Sequence, residues 1–221
     1  MTEAEWLAST NPTPMLKFLR DKASDRKLRL FAVACCRHIW EWLPDSRSRV
    51  AVEAAERFAD GEASADELLL CRLAANRALS ERSKNAPDDR YRFVLFAASD
   101  AAYSKAWSAA DMMPIDAAWP TSEGVVSCVE NRNVLNHQAV LLWEIFGNPF
   151  RPVTVDPAWR TIASATLAHS IYADRAFERL SILADALEDA GCDNADILNH
   201  LRGDGPHVRG CWAVDLVLGK Q

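Results

Sequence analysis

One stretch of the sequence decides the fold: Asp25-Arg-Lys-Leu-Arg-Leu-Phe-Ala-Val-Ala-Cys-Cys-Arg-His-Ile-Trp-Glu-Trp-Leu43. Its apolar residues recur every three or four positions, the spacing that places side chains on one face of an α-helix. This apolar stripe consists of Leu28, Phe31, Ala32, Cys35, Ile39 and Trp42. The pattern predicts a central, largely buried helix over 25–43, ended by Pro44-Asp45.

Helical spacing continues on both sides of this stretch, whereas strict two-residue alternation is hard to find. Among the predicted helices are one over about 122–146 and the last one over 206–218. We expect an all-α protein, a single-domain irregular bundle of about eight to ten helices over 1–221. The proline-containing connector 147–155 is at most a subdomain boundary. The predicted core draws on Leu28, Phe31, Cys35, Ile39, Trp42, Phe93, Phe96, Leu141, Ile145, Ile162, Leu183, Leu187, Trp212 and Leu216.

The composition is that of a globular protein, with 49% apolar and 25% charged residues. No apolar run approaches the roughly 20 residues that span a bilayer, so we expect no membrane contact. The acidic start, Met1-Thr-Glu-Ala-Glu5, lacks the basic and apolar regions of a signal peptide, which favours a cytoplasmic location. The six cysteines are therefore interpreted mainly as reduced core thiols.

Charge is unevenly distributed along the chain. The net charge is −6, but 16–49 carries nine Lys or Arg against four Asp or Glu, and this leaves −11 for the remainder. The overall acidity argues against nucleic acid as a partner. Segregated charge instead favours a protein partner or self-association, in which basic and acidic surfaces meet.

The motifs of common enzymes are missing. The sequence contains no Gly-x-Gly-x-x-Gly, P-loop, Gly-x-Ser-x-Gly, His-Glu-x-x-His or Cys-x-x-Cys. The main hypothesis is therefore a non-enzymatic protein-interaction or regulatory helical module, with no cofactor.

The alternative hypothesis is a zinc site, or a thiol-based sensor or enzyme. Cys35 and His38 are three residues apart on the central helix, and His207 and Cys211 are four apart on the predicted last helix. Either spacing places two soft ligands on one helical face, so two packed helices would supply four ligands to zinc. The competing interpretation is two core thiols and two boundary histidines.

A second set of polar residues follows the helix predicted over 122–146. Glu130, His137 and Glu144 recur every seven residues, about 10 Å apart along the axis, which is too far for one shared metal ion. We interpret them as a polar stripe that faces solvent or a partner helix.

Aromatic residues beside the two irregular connectors suggest a binding surface. Trp119, Phe150, Arg151 and Trp159 are of the types that dominate interaction hot spots. Alternatively, the aromatic members plug one end of the bundle.

Four phrases of the sequence also carry a family resemblance. They are Lys27-Leu-Arg-Leu-Phe-Ala-Val-Ala-Cys-Cys36, Ile145-Phe-Gly-Asn-Pro-Phe-Arg-Pro-Val153, Leu183-Ala-Asp-Ala-Leu-Glu-Asp-Ala-Gly-Cys192 and His207-Val-Arg-Gly-Cys-Trp-Ala-Val-Asp-Leu-Val-Leu-Gly219. With them, most of the chain resembles an uncharacterised protein family that is multiplied in planctomycete genomes. The resemblance implies a bacterial cytoplasmic origin and transfers no site residue.

Overall fold

The computed structural model describes residues 1–43, 45–83, 97–103, 105–106, 110, 119–121, 124–126 and 132–220. The fold is all-α, as predicted, with one short β-ribbon in which β1 (Trp119–Thr121) pairs antiparallel with β2 (Gly124–Val126). None of the described helices combines the length and hydropathy needed to cross a membrane. The α-helices are α1 (Glu3–Leu7), α2 (Pro12–Leu19), α3 (Asp25–His38), α4 (Ser46–Ala59), α5 (Ala65–Ser83), α6 (Arg132–Phe146), α7 (Ile162–Asp174), α8 (Leu180–Asp189), α9 (Ala195–Arg202) and α10 (Trp212–Leu218), and residues 97–101 are also helical.

The chain divides into two compact units, Met1–Leu142 (unit 1) and Trp143–Gln221 (unit 2). The division falls inside α6, a few residues before the connector 147–155. The single-domain organisation over 1–221 stays a prediction.

Unit 1 is built around α3. The Ser24 side chain caps this helix by accepting a hydrogen bond from the Lys27 amide, and every residue from Leu28 to Cys36 is buried. Helix α3 packs against α4, which in turn packs against α5. The α-helix ends at His38, and a 3₁₀ turn (Trp40–Trp42) follows it. The predicted burial of Trp42 is wrong, since 39% of this residue is exposed; the tighter turn takes it out of register with the stripe.

Arg29 is a buried charge inside this core, only 2% exposed. Its guanidinium donates hydrogen bonds to the Ala101 and Tyr103 carbonyls, at 3.2 and 2.7 Å. Burial lowers the pKa of Arg29.

We expect Arg29→Met to lower the free energy of unfolding by about 2–4 kcal/mol, because it leaves two carbonyl oxygens without their donor. Urea denaturation measures this loss. Arg77→Met makes the same substitution at an exposed position of α5 and should cost less than about 0.5 kcal/mol. Equal losses in the two variants would show that the buried guanidinium has no special role.

Unit 2 packs α7, α8, α9 and α10 around a core of its own. Leu183, Leu187 and Ile197 lie at the centre of this core, and the connector adds Val153 and Val155 at its edge. Asn194 caps α9 by accepting the Ile197 amide hydrogen, which fixes where that helix begins.

The predicted core is largely confirmed. The buried members are Leu28, Phe31, Cys35, Ile39, Leu141, Ile145, Leu183 and Leu187. Ile162 is a wrong assignment, since it is 89% exposed in the first turn of α7, while Trp212 and Leu216 are half-buried. Phe93 and Phe96 lie outside the described residues.

The helix predicted over 122–146 starts too early. Residues 124–126 form strand β2, and the helix described in this region is Arg132–Phe146. Gly124 and two adjacent β-branched valines favour the extended backbone there over a helix.

Candidate metal centre

Four potential metal ligands lie together in unit 2: Glu144, His200, His207 and Cys211. One ligating atom from each residue falls within 4.8 Å of the other three. Among the residues that the structure describes, no other group of three or more histidine, cysteine or acidic side chains is placed to hold one ion.

Two of these side chains come from helices. Glu144 lies near the end of α6, which Gly147 terminates with a left-handed φ of 62°. His200 lies in the last turn of α9. Helix α9 packs against α8 through its buried face, so the backbone that carries the His200 imidazole is held firmly.

The other two come from the segment 203–211, which is not helical. Gly205 and Gly210 have left-handed φ angles of 87° and 92°, and α10 begins only at Trp212. The predicted helix over 206–218 is therefore wrong in its first turns, because Gly210, which lies inside that span, departs from helical backbone geometry. His207 and Cys211 are neighbours through this loop and not through a shared helical face. Cys211 is the residue that precedes α10.

Close polar contacts connect the four side chains. His207 Nδ1 lies 3.1 Å from Glu144 Oε1, and His200 Nε2 lies 3.2 Å from Glu144 Oε2. His200 Nε2 is also 3.1 Å from Cys211 Sγ. The carboxylate of Glu144 thus contacts both imidazoles, and the Cys211 thiol contacts the imidazole of His200.

The second nitrogen of His207 is also engaged. Nε2 lies 3.0 Å from the Gly203 carbonyl oxygen, which can only accept, so Nε2 carries the hydrogen. Metal-ligating histidines commonly donate this second N–H to a backbone carbonyl, which fixes the ring and the tautomer. His207 is therefore oriented to present Nδ1 to an ion.

The group is shielded from solvent. The exposed fraction of the side chain is 4% for Glu144, 9% for His207 and 20% for His200, and Cys211 is buried. In such surroundings a charge is costly unless it is compensated.

The electrostatics reflect this burial. Burial raises the pKa of Glu144, but hydrogen bonds and charge from His200 and His207 outweigh it and leave the pKa below its usual value. Burial lowers the pKa of His207, and the contact with Glu144 more than reverses that effect, so the pKa is raised. Burial and the nearby Glu144 carboxylate raise the pKa of Cys211 well above its usual value.

These distances match the size of a tetrahedral zinc site. Zinc bound at about 2.0–2.1 Å to nitrogen and about 2.3 Å to sulfur holds its ligand atoms roughly 3.3–3.7 Å apart. The three contacts of 3.1–3.2 Å, two of which use different oxygens of Glu144, are a few tenths of an ångström shorter than that, and one ligand atom from each residue lies within 4.8 Å of the others. The alternative is a metal-free network in which the Glu144 carboxylate accepts hydrogen bonds from both imidazoles.

The sequence interpretation found half of this group. His207 and Cys211 are brought together, but beside Glu144 and His200. Cys35 is buried in α3 and His38 is exposed at its end, and both belong to unit 1, so their role as ligands with the other pair stays a prediction.

Two residues were missed for different reasons. Glu144 was assigned to a polar stripe facing solvent or a partner helix, yet it is 5% exposed. His200 precedes His207 by seven residues and Cys211 by eleven, and this local spacing of soft ligands was the available signal. Nothing local in the sequence connects Glu144 to them, because it is 56 positions before His200.

The predicted partner-binding residues are scattered. Trp119 lies in β1 of unit 1, whereas Phe150, Arg151 and Trp159 lie in unit 2. Phe150 is half-buried and Arg151 exposed. Trp159 packs against the core of unit 2. Partner binding by the four residues stays a prediction.

Gly147, which ends α6, packs closely against the side chain of Trp212. A Cβ atom at this position would lie 3.1 Å from Trp212 Cγ, and its φ of 62° is unfavourable for other residues. We expect Gly147→Ala to lower the free energy of unfolding by about 2–3 kcal/mol, from backbone strain plus the clash with the indole.

Gly191→Ala is the matched control for this prediction. Gly191 also has a left-handed φ, 89°, but no atom lies within 4 Å of the added Cβ. This variant should lose only about 1–2 kcal/mol. Thermal denaturation of both variants compares them, and a loss at Gly147 no larger than at Gly191 would contradict the packing argument.

Comparison of the chain with protein-family models, curated proteins and solved structures finds no match. The geometry of the site is therefore the basis on which a function is assigned.

Proposed function

We propose that this chain is a zinc-binding helical protein whose ion, held by Glu144, His200, His207 and Cys211, stabilises unit 2 and performs no catalysis. The observation that supports this is the convergence of four ligating atoms, one from each residue, within 4.8 Å in a shielded site. Such a protein would be both the non-enzymatic module expected from the sequence and the metal-binding protein of the alternative hypothesis.

The donor set favours zinc. One thiolate, two imidazoles and one carboxylate include the soft and borderline ligands that zinc prefers, whereas magnesium and calcium take oxygen ligands. The raised pKa of Cys211 does not oppose this assignment, because a coordinated thiol is deprotonated outright by the ion. The thiolate and the Glu144 carboxylate together would neutralise the two charges of zinc.

The number of ligands favours a structural role. Catalytic zinc sites keep an open position for water or substrate, while structural sites are closed by four protein ligands. Here four side chains are available and three of them are less than 10% exposed. An ion at this position would connect the end of α6, the end of α9 and the start of α10, and would fix the loop 203–211 between them.

Cobalt substitution tests the proposal. The metal-free full-length chain is titrated with Co²⁺, and we expect intense visible bands of a four-coordinate ion together with a thiolate-to-cobalt charge-transfer band in the near ultraviolet. Cys211→Ser should lose the charge-transfer band. Cys192→Ser, which changes another buried cysteine of the same core, should keep it. Absence of the charge-transfer band in the natural chain, or its persistence in Cys211→Ser, would overturn the assignment.

A further inference from the structure

Helix α5 of unit 1 is apolar on two opposite sides. Its inner side, which includes Ala75 and Leu79, is buried. On its outer side Leu69, Leu70 and Leu73 are 50%, 67% and 47% exposed. Clustered exposed apolar side chains of this kind mark protein interaction sites, whereas single ones are ordinary surface.

Two opposite charges lie at the ends of this group of leucines. Asp66, Leu70, Leu73 and Arg77 follow one another at intervals of four, three and four residues, the spacing of the seam along which two helices of a coiled coil meet. Asp66 and Arg77 are both exposed. They lie about 16 Å apart along the helix axis, twice the screening length of roughly 8 Å at physiological salt, so they do not neutralise each other.

We propose that the outer face of α5, formed by Asp66, Leu69, Leu70, Leu73 and Arg77, binds the same face of a second copy of the chain. The two α5 helices run antiparallel and form a two-fold symmetric dimer. This proposal is independent of the zinc site, since it uses residues of unit 1 alone.

The order of the charges selects the orientation and the register. A parallel pair would place Asp66 against Asp66 and Arg77 against Arg77, and like charges in contact oppose association. An antiparallel pair places Asp66 of each copy against Arg77 of the other, and the two-fold axis makes each contact occur twice. In that register the facing pairs are Asp66 with Arg77, Leu70 with Leu73 and Leu69 with Ala74. The apolar centre of one copy therefore meets the apolar centre of the other.

The acidic residues beside the seam are engaged within each copy. Arg57 of α4 donates a hydrogen bond to Glu67, and Arg47 of α4 donates one to Glu81 at 2.7 Å. Because these carboxylates are paired with α4, they add little repulsion between two α5 helices that approach each other.

The contact covers about three helical turns, less than the interfaces of permanent dimers. We therefore expect a reversible dimer with a dissociation constant of about 10–100 μM. The leucines supply the affinity, while the charges, as exposed ion pairs of small stabilising effect, select the orientation.

Sedimentation equilibrium of the zinc-saturated full-length chain tests the proposal through exchange of the two charges. By symmetry each single reversal places two pairs of like charges in the dimer, so Asp66→Arg and Arg77→Asp should each weaken dimerisation at least about 10-fold. The double variant Asp66→Arg/Arg77→Asp restores both opposite pairs and should dimerise within about threefold of the natural chain.

Further variants test the apolar centre and supply the controls. Leu70→Lys should weaken dimerisation at least about 30-fold. Leu7→Lys changes an exposed leucine of α1 and should leave dimerisation unchanged. Cys211→Ser should also dimerise like the natural chain, which separates this proposal from the zinc site.

Two results would overturn the dimer. A natural chain that stays monomeric at about 1 mM would leave the outer face of α5 to a different protein. A double variant that dimerises no better than the single variants would place the contact between copies elsewhere on the chain.

Discussion

Cys211→Ser is expected to bind zinc at least about 100-fold more weakly than the natural chain. Loss of a residue that merely supports a zinc ligand typically costs 10–100-fold in affinity, and loss of the sole thiolate should cost more. Serine keeps the size of the side chain but cannot supply the sulfur ligand that distinguishes this site. Competition with a chromophoric zinc chelator measures the affinity.

Cys192→Ser is the control for this prediction. Cys192 is buried in the same core at 3% exposure and does not belong to the ligand group, so its substitution should leave the zinc affinity within about threefold. Equal affinities of the natural chain and the Cys211 variant would remove Cys211 from the site. Equal losses in both cysteine variants would point to damage of the core and not of the site.

Removal of zinc is expected to destabilise unit 2 substantially. An ion that binds only the folded state and is present at about 1,000 times its dissociation constant adds about 4 kcal/mol to the free energy of unfolding. A strong chelator should abolish that contribution in guanidinium denaturation of the full-length chain, followed by tryptophan fluorescence. The metal-free protein should still fold, because Glu144 retains its hydrogen bonds to His200 and His207.

The Cys211→Ser variant controls for effects of the chelator itself. At the same zinc concentration a 100-fold weaker site has zinc at only about ten times its dissociation constant, so the chelator should remove no more than about 1.4 kcal/mol from this variant, against about 4 kcal/mol from the natural chain. If the natural chain unfolds identically under both conditions, zinc contributes no stability, and the structural role proposed for it is wrong.

The fold could be predicted because its signals are local. The apolar stripe of α3 acts within a few positions, and Leu28, Phe31, Cys35 and Ile39 are buried as it predicts. The prediction fails where the helical spacing of apolar residues continues in the sequence beyond the end of the α-helix. Trp42 continues the stripe in the sequence, but the α-helix has already changed to a 3₁₀ turn at that point.

The site could be predicted only in part because its ligands come from separate segments. His200, His207 and Cys211 fall within twelve residues. However, the pattern over 206–218 predicts a helix there, which pairs His207 with Cys211 and does not include His200. Gly210, whose backbone is left-handed, interrupts that span, and the helix begins only at Trp212. Glu144 joins the other three ligands only through the tertiary packing that brings the end of α6 close to α9. Residue spacing in the sequence gives no signal of such a contact.

Metal analysis of the purified full-length chain is the most direct test of the central claim. Inductively coupled plasma mass spectrometry of protein prepared without chelators or added metal should find close to one zinc per chain. In the Cys211→Ser variant the value should fall close to zero after dialysis. A natural chain with no zinc that also fails to take it up from a stoichiometric supply would contradict the account, and would leave Glu144, His200, His207 and Cys211 as a hydrogen-bonded network.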